Sequence, residues 1–246
     1  MNQPIRIAMW SGPRNISTAM MRSFGSRPDT IVCDEPFYAR YLLRTSADHP
    51  GRDEVIAACE TEYDNIVASL TAPLSPGTTI FYQKHMAHHI LHEDWKHLDW
   101  VHTMRNVLLI RNPLEVLASF IKVVPNPTPD QLGLPQQYRL FLMFAERLGH
   151  APPVLDAADV LDDPPRMLRF LCEAVGIEFD PAMLSWSPGP RESDGVWGRH
   201  WYHAVYESTG FERPRPRNAD IPMSLQPVLA ECRAIYDCLR AERLKR

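Results

Sequence analysis

Ile5-Arg6-Ile7-Ala8-Met9-Trp10, followed at once by Ser11-Gly12-Pro13-Arg14-Asn15-Ile16-Ser17-Thr18, decides the fold class. The first six residues are rich in β-formers and read as a short strand. The next eight read as a compact turn, and residues 17–24 place apolar side chains at helical spacing. A strand that feeds a helix through a tight loop aims free backbone N–H groups and the positive end of the helix dipole at one point. Such a turn holds a phosphate or a sulfate. Gly12 lets the backbone turn, Arg14 adds a fixed cation, and Ser17 and Thr18 bring hydroxyls to the helix start, with Asn15 and Ile16 between. The loop is not a Walker A sequence, because Ile16-Ser17 stands where Gly-Lys would. An ordinary capped helix, which Ser and Thr also favour, reads equally well from these residues alone.

Outward from that turn the same alternation repeats. Further short strands are expected at residues 30–33, 79–82 and 153–156, and residues 106–110 form the clearest buried strand, a continuous apolar run. Helical spacing covers 38–70, with an interruption near 49–51, then 85–91, 112–121, 138–148, 165–175 and 221–245. Pro113 sits well in a first helical turn. Residues 124–135 are Pro-rich and read as a long surface loop facing substrate, and 187–217 read as irregular. Strands alternating with helices predict a parallel sheet covered on both faces, an α/β architecture of three layers. No repeat or composition break divides it, so residues 1–246 read as a single domain.

Composition narrows the function classes. The chain has 246 residues, 45% hydrophobic and 23% charged, enough to bury a full core. A formal net charge of −4 argues against a general nucleic-acid binder. No apolar run approaches the roughly 20 residues that span a bilayer, so no membrane partner is expected. Met1-Asn2-Gln3-Pro4 lacks a signal-peptide pattern, and a cytoplasmic setting is the expectation. Cys33, Cys59, Cys172, Cys232 and Cys238 are odd in number and scattered, and read as thiols.

A second constellation is Arg111-Asn112-Pro113-Leu114-Glu115-Val116-Leu117-Ala118-Ser119. Arg111 ends the most buried strand, where open α/β sheets bind ligands, and Ser119 lies about two helical turns further on. The two could share an anion; equally, Arg111 could pair with Glu115 on the surface. A third is Tyr82-Gln83-Lys84-His85-Met86-Ala87-His88-His89. An imidazole at a strand end can take a hydroxyl proton near neutral pH. His85, His88, His89 and His92 at helical spacing could instead hold a metal, or simply form a polar face.

An SGPRxxST turn paired with RNPxEVxxS resembles the sulfotransferase family that uses 3′-phosphoadenosine 5′-phosphosulfate, in its bacterial sulfotransferase-like branch. The resemblance runs from Ile5 to about Trp201. It implies the fold of P-loop nucleoside triphosphate hydrolases and sulfuryl transfer to a hydroxyl or amine of a small-molecule acceptor. It also implies roles. Gly12, Arg14, Asn15, Ile16, Ser17 and Thr18 would hold the 5′-phosphosulfate, and Arg111 with Ser119 the 3′-phosphate. His85 would be the general base, with Arg14 and Lys84 as catalytic cations. Arg191, in Gly189-Pro190-Arg191, resembles the cation of a basic loop that closes over the 3′-phosphate. No metal is required. The chain departs from the family pattern at three places. Ile16 stands where a glycine is expected, and Lys84 directly precedes His85. Residues 155–160 hold no counterpart of the family's tyrosine. Two alternatives stay open: a non-catalytic binding or scaffold protein on the same fold, and a P-loop kinase using ATP and Mg²⁺. Oligomeric state is open.

Overall fold

The computed structural model describes residues 4–212 and 220–245. Its centre is a five-stranded sheet of β1 (Ile5–Ser11), β2 (Thr30–Asp34), β3 (Ile80–Met86), β4 (Arg105–Ile110) and β5 (Val154–Asp156). All pairings are parallel and the strand order is β2-β3-β1-β4-β5. The chain leaves β1 toward one edge, returns through β3, and continues to the other edge from β4. Ligands in open parallel sheets bind at such a reversal, outside the carboxyl ends of the strands.

Helices cover both faces, as the alternation predicts. α1 (Ser17–Gly25) follows β1, and α2 (Tyr38–Arg44), α3 (Arg52–Ala58) and α4 (Tyr63–Thr71) lie between β2 and β3. α5 (Pro113–Phe120), α6 (Pro129–Leu132) and α7 (Leu134–Leu148) separate β4 from β5. Beyond β5 come α8 (Ala157–Asp162), α9 (Pro164–Val175), two short turns α10 (Gly198–Trp201) and α11 (His203–Glu207), and the closing α12 (Gln226–Ala241). On one face Ile7, Met9, Tyr82, Val107 and Leu109 pack with α1 and α9. On the other, Ala8, Trp10, Phe81, Leu108 and Ile110 pack with α5, α7 and α12. A third cluster, built on Tyr38, Tyr41, Leu42, Val55, Trp197 and Tyr202, joins α2 and α3 to the 197–202 turn.

Three sequence expectations are corrected. β3 does not stop at residue 82 but continues to Met86, so His85 is a strand residue and no α-helix starts there. A 3₁₀ turn at Ala87–His89 and a kinked 3₁₀ stretch at His92–Thr103 come next. The Pro-rich loop is partly helical. Thr128 and Gln131 form a reciprocal cap that starts α6, and Gly133 in the left-handed region links it to α7. Of the 187–217 segment, residues 187–212 are described, and they carry α10 and α11 within an otherwise irregular path. All five cysteines are free.

Candidate active site

The loop after β1 is built differently from its sequence reading. Gly12 is not the residue that turns the chain; Arg14 is, with φ of 54°. Gly12 is needed because a Cβ there would press into the Leu132 carbonyl oxygen. Asn15 pins the loop to the sheet: its Nδ2 donates to the Leu109 carbonyl oxygen at 2.8 Å, and its Oδ1 accepts from the Ile16 N–H at 2.9 Å. Arg111 Nη1 donates to the Arg14 carbonyl oxygen at 3.1 Å, holding the left-handed residue in place. A non-glycine residue kept in that region is stored strain, which clusters at functional sites.

Ile16 occupies the N-cap of α1, and no side chain caps the helix. The capped-helix alternative is therefore corrected. Ile16 packs against the α1–α9 face, while Ser17, Thr18 and Ala19 line a cavity of about 990 Å³ at the carboxyl ends of the strands. The first-turn N–H groups of α1 are thus offered to the cavity without a side-chain acceptor.

Cations gather on the same wall. The Arg14 Nε donates to Ser119 Oγ at 2.9 Å, so the turn and the RNPxEVxxS segment form one cluster rather than two distant ends. Burial, and then the neighbouring Arg111 charge, lower the Arg14 pKa from its ordinary value. Among the described residues no carboxylate pairs with Arg14. Arg111 meets Glu115 through Nε and Nη2 at 2.9 and 2.8 Å, so the surface-pair alternative is realised together with the contact to Arg14. Asn112 Oδ1 caps α5 by accepting from the Leu114 N–H. Lys122 also lines the cavity.

The opposite wall carries a buried polar network. Lys84 is 1% exposed, and its Nζ donates to Asp34 Oδ1 at 2.9 Å and Glu35 Oε1 at 2.7 Å. Tyr202 from the C-terminal part completes it: its OH lies 2.8 Å from Asp34 Oδ2 and 2.6 Å from Lys84 Nζ, and accepts from Trp197 Nε1 at 2.9 Å. Burial works against the charge on Lys84, but Asp34 and Glu35 outweigh it and its pKa is raised. Burial raises the pKa of Glu35, with Asp34 adding to the effect and Lys84 opposing it. Glu35 is the second non-glycine residue at positive φ, 41°, and its carboxylate faces the cavity. Tyr38, His49, His88 and His89 line the space beyond it.

Several sequence-based candidates sit elsewhere. His85 is outside the cavity: strand alternation sends Lys84 to one face and His85 to the other. There its ring stacks on Trp10 at 4.3 Å and meets Gln83 Oε1 at 3.1 Å. Burial lowers its pKa to about 3. From that position it reaches no acceptor in the cavity. Arg191 is exposed and donates to the Ser187 carbonyl oxygen, also away from the cavity wall. Lys84 does line the cavity, but its charge is balanced by two carboxylates. Among the described residues no group of three or more His, Cys, Asp or Glu is placed to hold a metal ion. Glu35 was missed as a site residue. The only sequence signal for Glu35 was an acidic pair closing β2.

Residues 5–242 match the family of the sulfotransferase domain. The chain belongs to that family. The sulfotransferase-domain chain is 37% identical over 241 residues to branched-chain-amino-acid aminotransferase-like protein 1 of Arabidopsis thaliana, covering 98% of this chain and 42% of the relative. It is 34% identical over 235 residues to protein 2 of the same name and organism, covering 95% and 41%. It thus spans about two-fifths of the length of the curated relatives it matches. Its fold is similar to a sulfotransferase from Alicyclobacillus acidocaldarius, with a TM-score of 0.53 and 11% identity over 99% of this chain and 98% of that one. Among the described residues no helix is long and apolar enough to cross a membrane.

Proposed function

We propose that the chain transfers a sulfuryl group from 3′-phosphoadenosine 5′-phosphosulfate to a hydroxyl or amine of a small acceptor. One observation carries this reading: Arg14, Arg111 and Ser119 meet beside the uncapped N-terminus of α1 on one wall of a cavity whose other wall presents Glu35. Free helix N–H groups and neighbouring guanidiniums suit the phosphate and phosphosulfate groups of such a nucleotide. The donor, when bound, supplies an activated sulfur whose bond to a phosphate oxygen breaks during transfer.

The chain's residues have separable tasks. The N–H groups of residues 17–19 and the Arg14 guanidinium stabilise charge that grows on the departing phosphate. Arg111 and Ser119 orient the nucleotide, and Glu115 keeps the Arg111 fork in place. Glu35 replaces His85 as the base. Its carboxylate accepts the proton as the acceptor oxygen or nitrogen forms its bond to sulfur and adenosine 3′,5′-bisphosphate leaves. Lys84 holds that carboxylate at a fixed orientation. Positioning and charge stabilisation are what such a transfer asks of a protein.

The aminotransferase-like names belong to plant proteins more than twice this chain's length. Imine formation needs a neutral lysine, and Lys84 is held protonated between two carboxylates.

Isothermal titration with adenosine 3′,5′-bisphosphate tests the reading. Tight binding is expected for the native chain, at least 10-fold weaker binding for Arg14→Ala, and preference over adenosine 5′-phosphate. Equal affinity for both nucleotides would refute the 3′-phosphate role. Binding without transfer to any acceptor would leave the scaffold alternative.

A further inference from the structure

Tyr202 stands 118 residues from Lys84 and 168 from Asp34 in the chain, yet the buried network closes on its hydroxyl. An ammonium has three protons to donate; a phenol has one, and its oxygen accepts. Every one of these protons is in use. Lys84 Nζ donates to Asp34 Oδ1 at 2.9 Å, to Glu35 Oε1 at 2.7 Å and to the Tyr202 hydroxyl oxygen at 2.6 Å. That oxygen also accepts from Trp197 Nε1 at 2.9 Å, and its own proton goes to Asp34 Oδ2 at 2.8 Å. The two carboxylates are served unequally. Asp34, with a side chain 2% exposed, takes Lys84, Tyr202 and the Gly195 N–H. Glu35, 11% exposed and lining the cavity, takes Lys84 on Oε1, with the Tyr202 hydroxyl 3.3 Å away. Among the described residues its Oε2 accepts no hydrogen bond, and His89 Nδ1 lies 4.0 Å from it.

We propose, on the basis of the sulfuryl-transfer reading with Glu35 as the base, that Tyr202 is a positioning residue whose hydroxyl divides the Lys84 ammonium between Asp34 and Glu35 and so sets the pH at which Glu35 works. By donating to Asp34, the hydroxyl meets part of that buried carboxylate's need and leaves Lys84 free to hold Glu35 as well. Without it, Asp34 keeps Lys84 as its one side-chain donor and draws the ammonium closer, at the expense of Glu35. A carboxylate that loses its share of a nearby cation holds its proton to higher pH. Tyr202 acts through Lys84 and Asp34, not on the reacting atoms, because its own proton is given to Asp34.

The titratable groups around Glu35 come from four further places in the fold. Asp34 precedes it on β2, Lys84 reaches it from β3, His89 from the 3₁₀ turn after β3, and Tyr38 from α2, with Tyr202 arriving from the C-terminal part. Burial holds the His89 pKa well below its ordinary value and raises those of Tyr38 and Tyr202, so all three stay neutral near pH 7. Lys84 is therefore the cation whose division between the two carboxylates governs Glu35. The Tyr202 ring itself is buried in the cluster of Tyr38, Tyr41, Leu42, Val55 and Trp197, so a phenylalanine keeps its packing and removes the hydroxyl alone.

Carboxyl-carbon NMR of the full chain, labelled at glutamate, follows the protonation of Glu35 with no acceptor present; loss of one signal in Glu35→Gln assigns it. In Tyr202→Phe the Glu35 midpoint should rise by about one pH unit. The rate of donor cleavage with water as acceptor, which yields sulfate and adenosine 3′,5′-bisphosphate, should have its acidic limb moved by the same amount. Bisphosphate affinity should stay within about 3-fold of native, since the hydroxyl lies on the wall opposite Arg14. Asp34→Asn should move the midpoint the other way, because Lys84 then serves one charged carboxylate; this variant decides the matter if Tyr202→Phe does not fold. A merely structural role would lower the melting temperature and leave the midpoint in place. An unmoved or lowered midpoint in folded Tyr202→Phe, or a midpoint that does not fall in Asp34→Asn, overturns the inference and leaves the donor and base reading standing. A native acidic limb that does not follow the Glu35 titration, or no bisphosphate binding, overturns that reading and this inference with it.

Discussion

At the scale of single residues, the chemistry depends on groups held where they are costly to hold. Glu35 carries a mostly buried carboxylate whose pKa burial raises, and it shares one ammonium with Asp34. As a base it works only when deprotonated, so kcat should rise with pH through a value above the roughly 4.3 of a free glutamate. Glu35→Gln should lower kcat at least 100-fold and remove that limb, while bisphosphate affinity stays within 3-fold. A pH–rate profile that keeps its acidic limb in the Gln variant would exclude Glu35 as the base. Arg14, Arg111 and Ser119, which meet on one wall of the cavity, were singled out in the sequence by their types and spacing. Glu35 was not, because a positive φ at a strand end leaves no mark in composition. His85 misled for a related reason. A His next to a Lys reads the same on a helix or a strand, and only the register decides which of the two meets the cavity. Pairing of Trp10 with His85 and of Met9 with Lys84 settles it.

At the scale of elements, β3 and α1 show where pattern reading succeeds and fails. Residues 106–110 announced a strand because both faces are apolar. The end of β3 did not, because Gln83, Lys84 and His85 are polar and nonetheless almost wholly buried. Polar residues there are tolerated because each finds partners: Gln83 Nε2 donates to the Leu70 carbonyl oxygen, and Lys84 meets two carboxylates. In α1 the apolar Ile16 at the N-cap is unfavourable for the helix and useful for the site. Ile16→Asp would place a negative charge at the helix start and give up the packing of Ile16 against the α1–α9 face. The carboxylate competes with a bound anion for the N–H groups, so bisphosphate affinity should fall at least 10-fold. A titration on a preparation shown by a calorimetric melt to be folded checks it. Unchanged nucleotide affinity in the folded variant would show that the α1 amides do not hold the anion.

At the scale of the whole molecule, the parallel sheet and its two covered faces were legible from alternation alone, whereas the closure of the site by the 187–207 segment was not. That closure rests on long-range polar contacts between residues with no local periodicity. Tyr202 reaches Asp34, the Gly195 N–H donates to Asp34 Oδ2 at 3.2 Å, and Arg22 in α1 pairs with Asp194 at 2.7 Å. Both partners of the last pair are at most 4% exposed. Removing Asp194 would strand a buried guanidinium, a loss of about 3–5 kcal/mol. For a chain of this size that corresponds to a fall in Tm on the order of 10 °C. Asp194→Asn should show it, and the Arg22→Met, Asp194→Leu pair should recover most of it; additive losses in the double variant would refute a buried pair. Buried histidines impose a second global property. Burial lowers the pKa of His85 to about 3, and that of His88 to about 3 with His49 adding to the effect. An unfolded chain protonates both near pH 6.5, roughly the value of a free histidine. Their neutral forms therefore contribute stability that is complete above about pH 6.5 and is lost as pH falls toward 3, by about 1.4 kcal/mol per pH unit for each group. Urea unfolding between pH 7 and pH 4 should show that slope, and His85→Phe, which keeps a ring against Trp10, should make it shallower by one proton. An unchanged slope would mean that His85 is already charged in the folded chain, contrary to its place between Trp10 and Gln83 in the core.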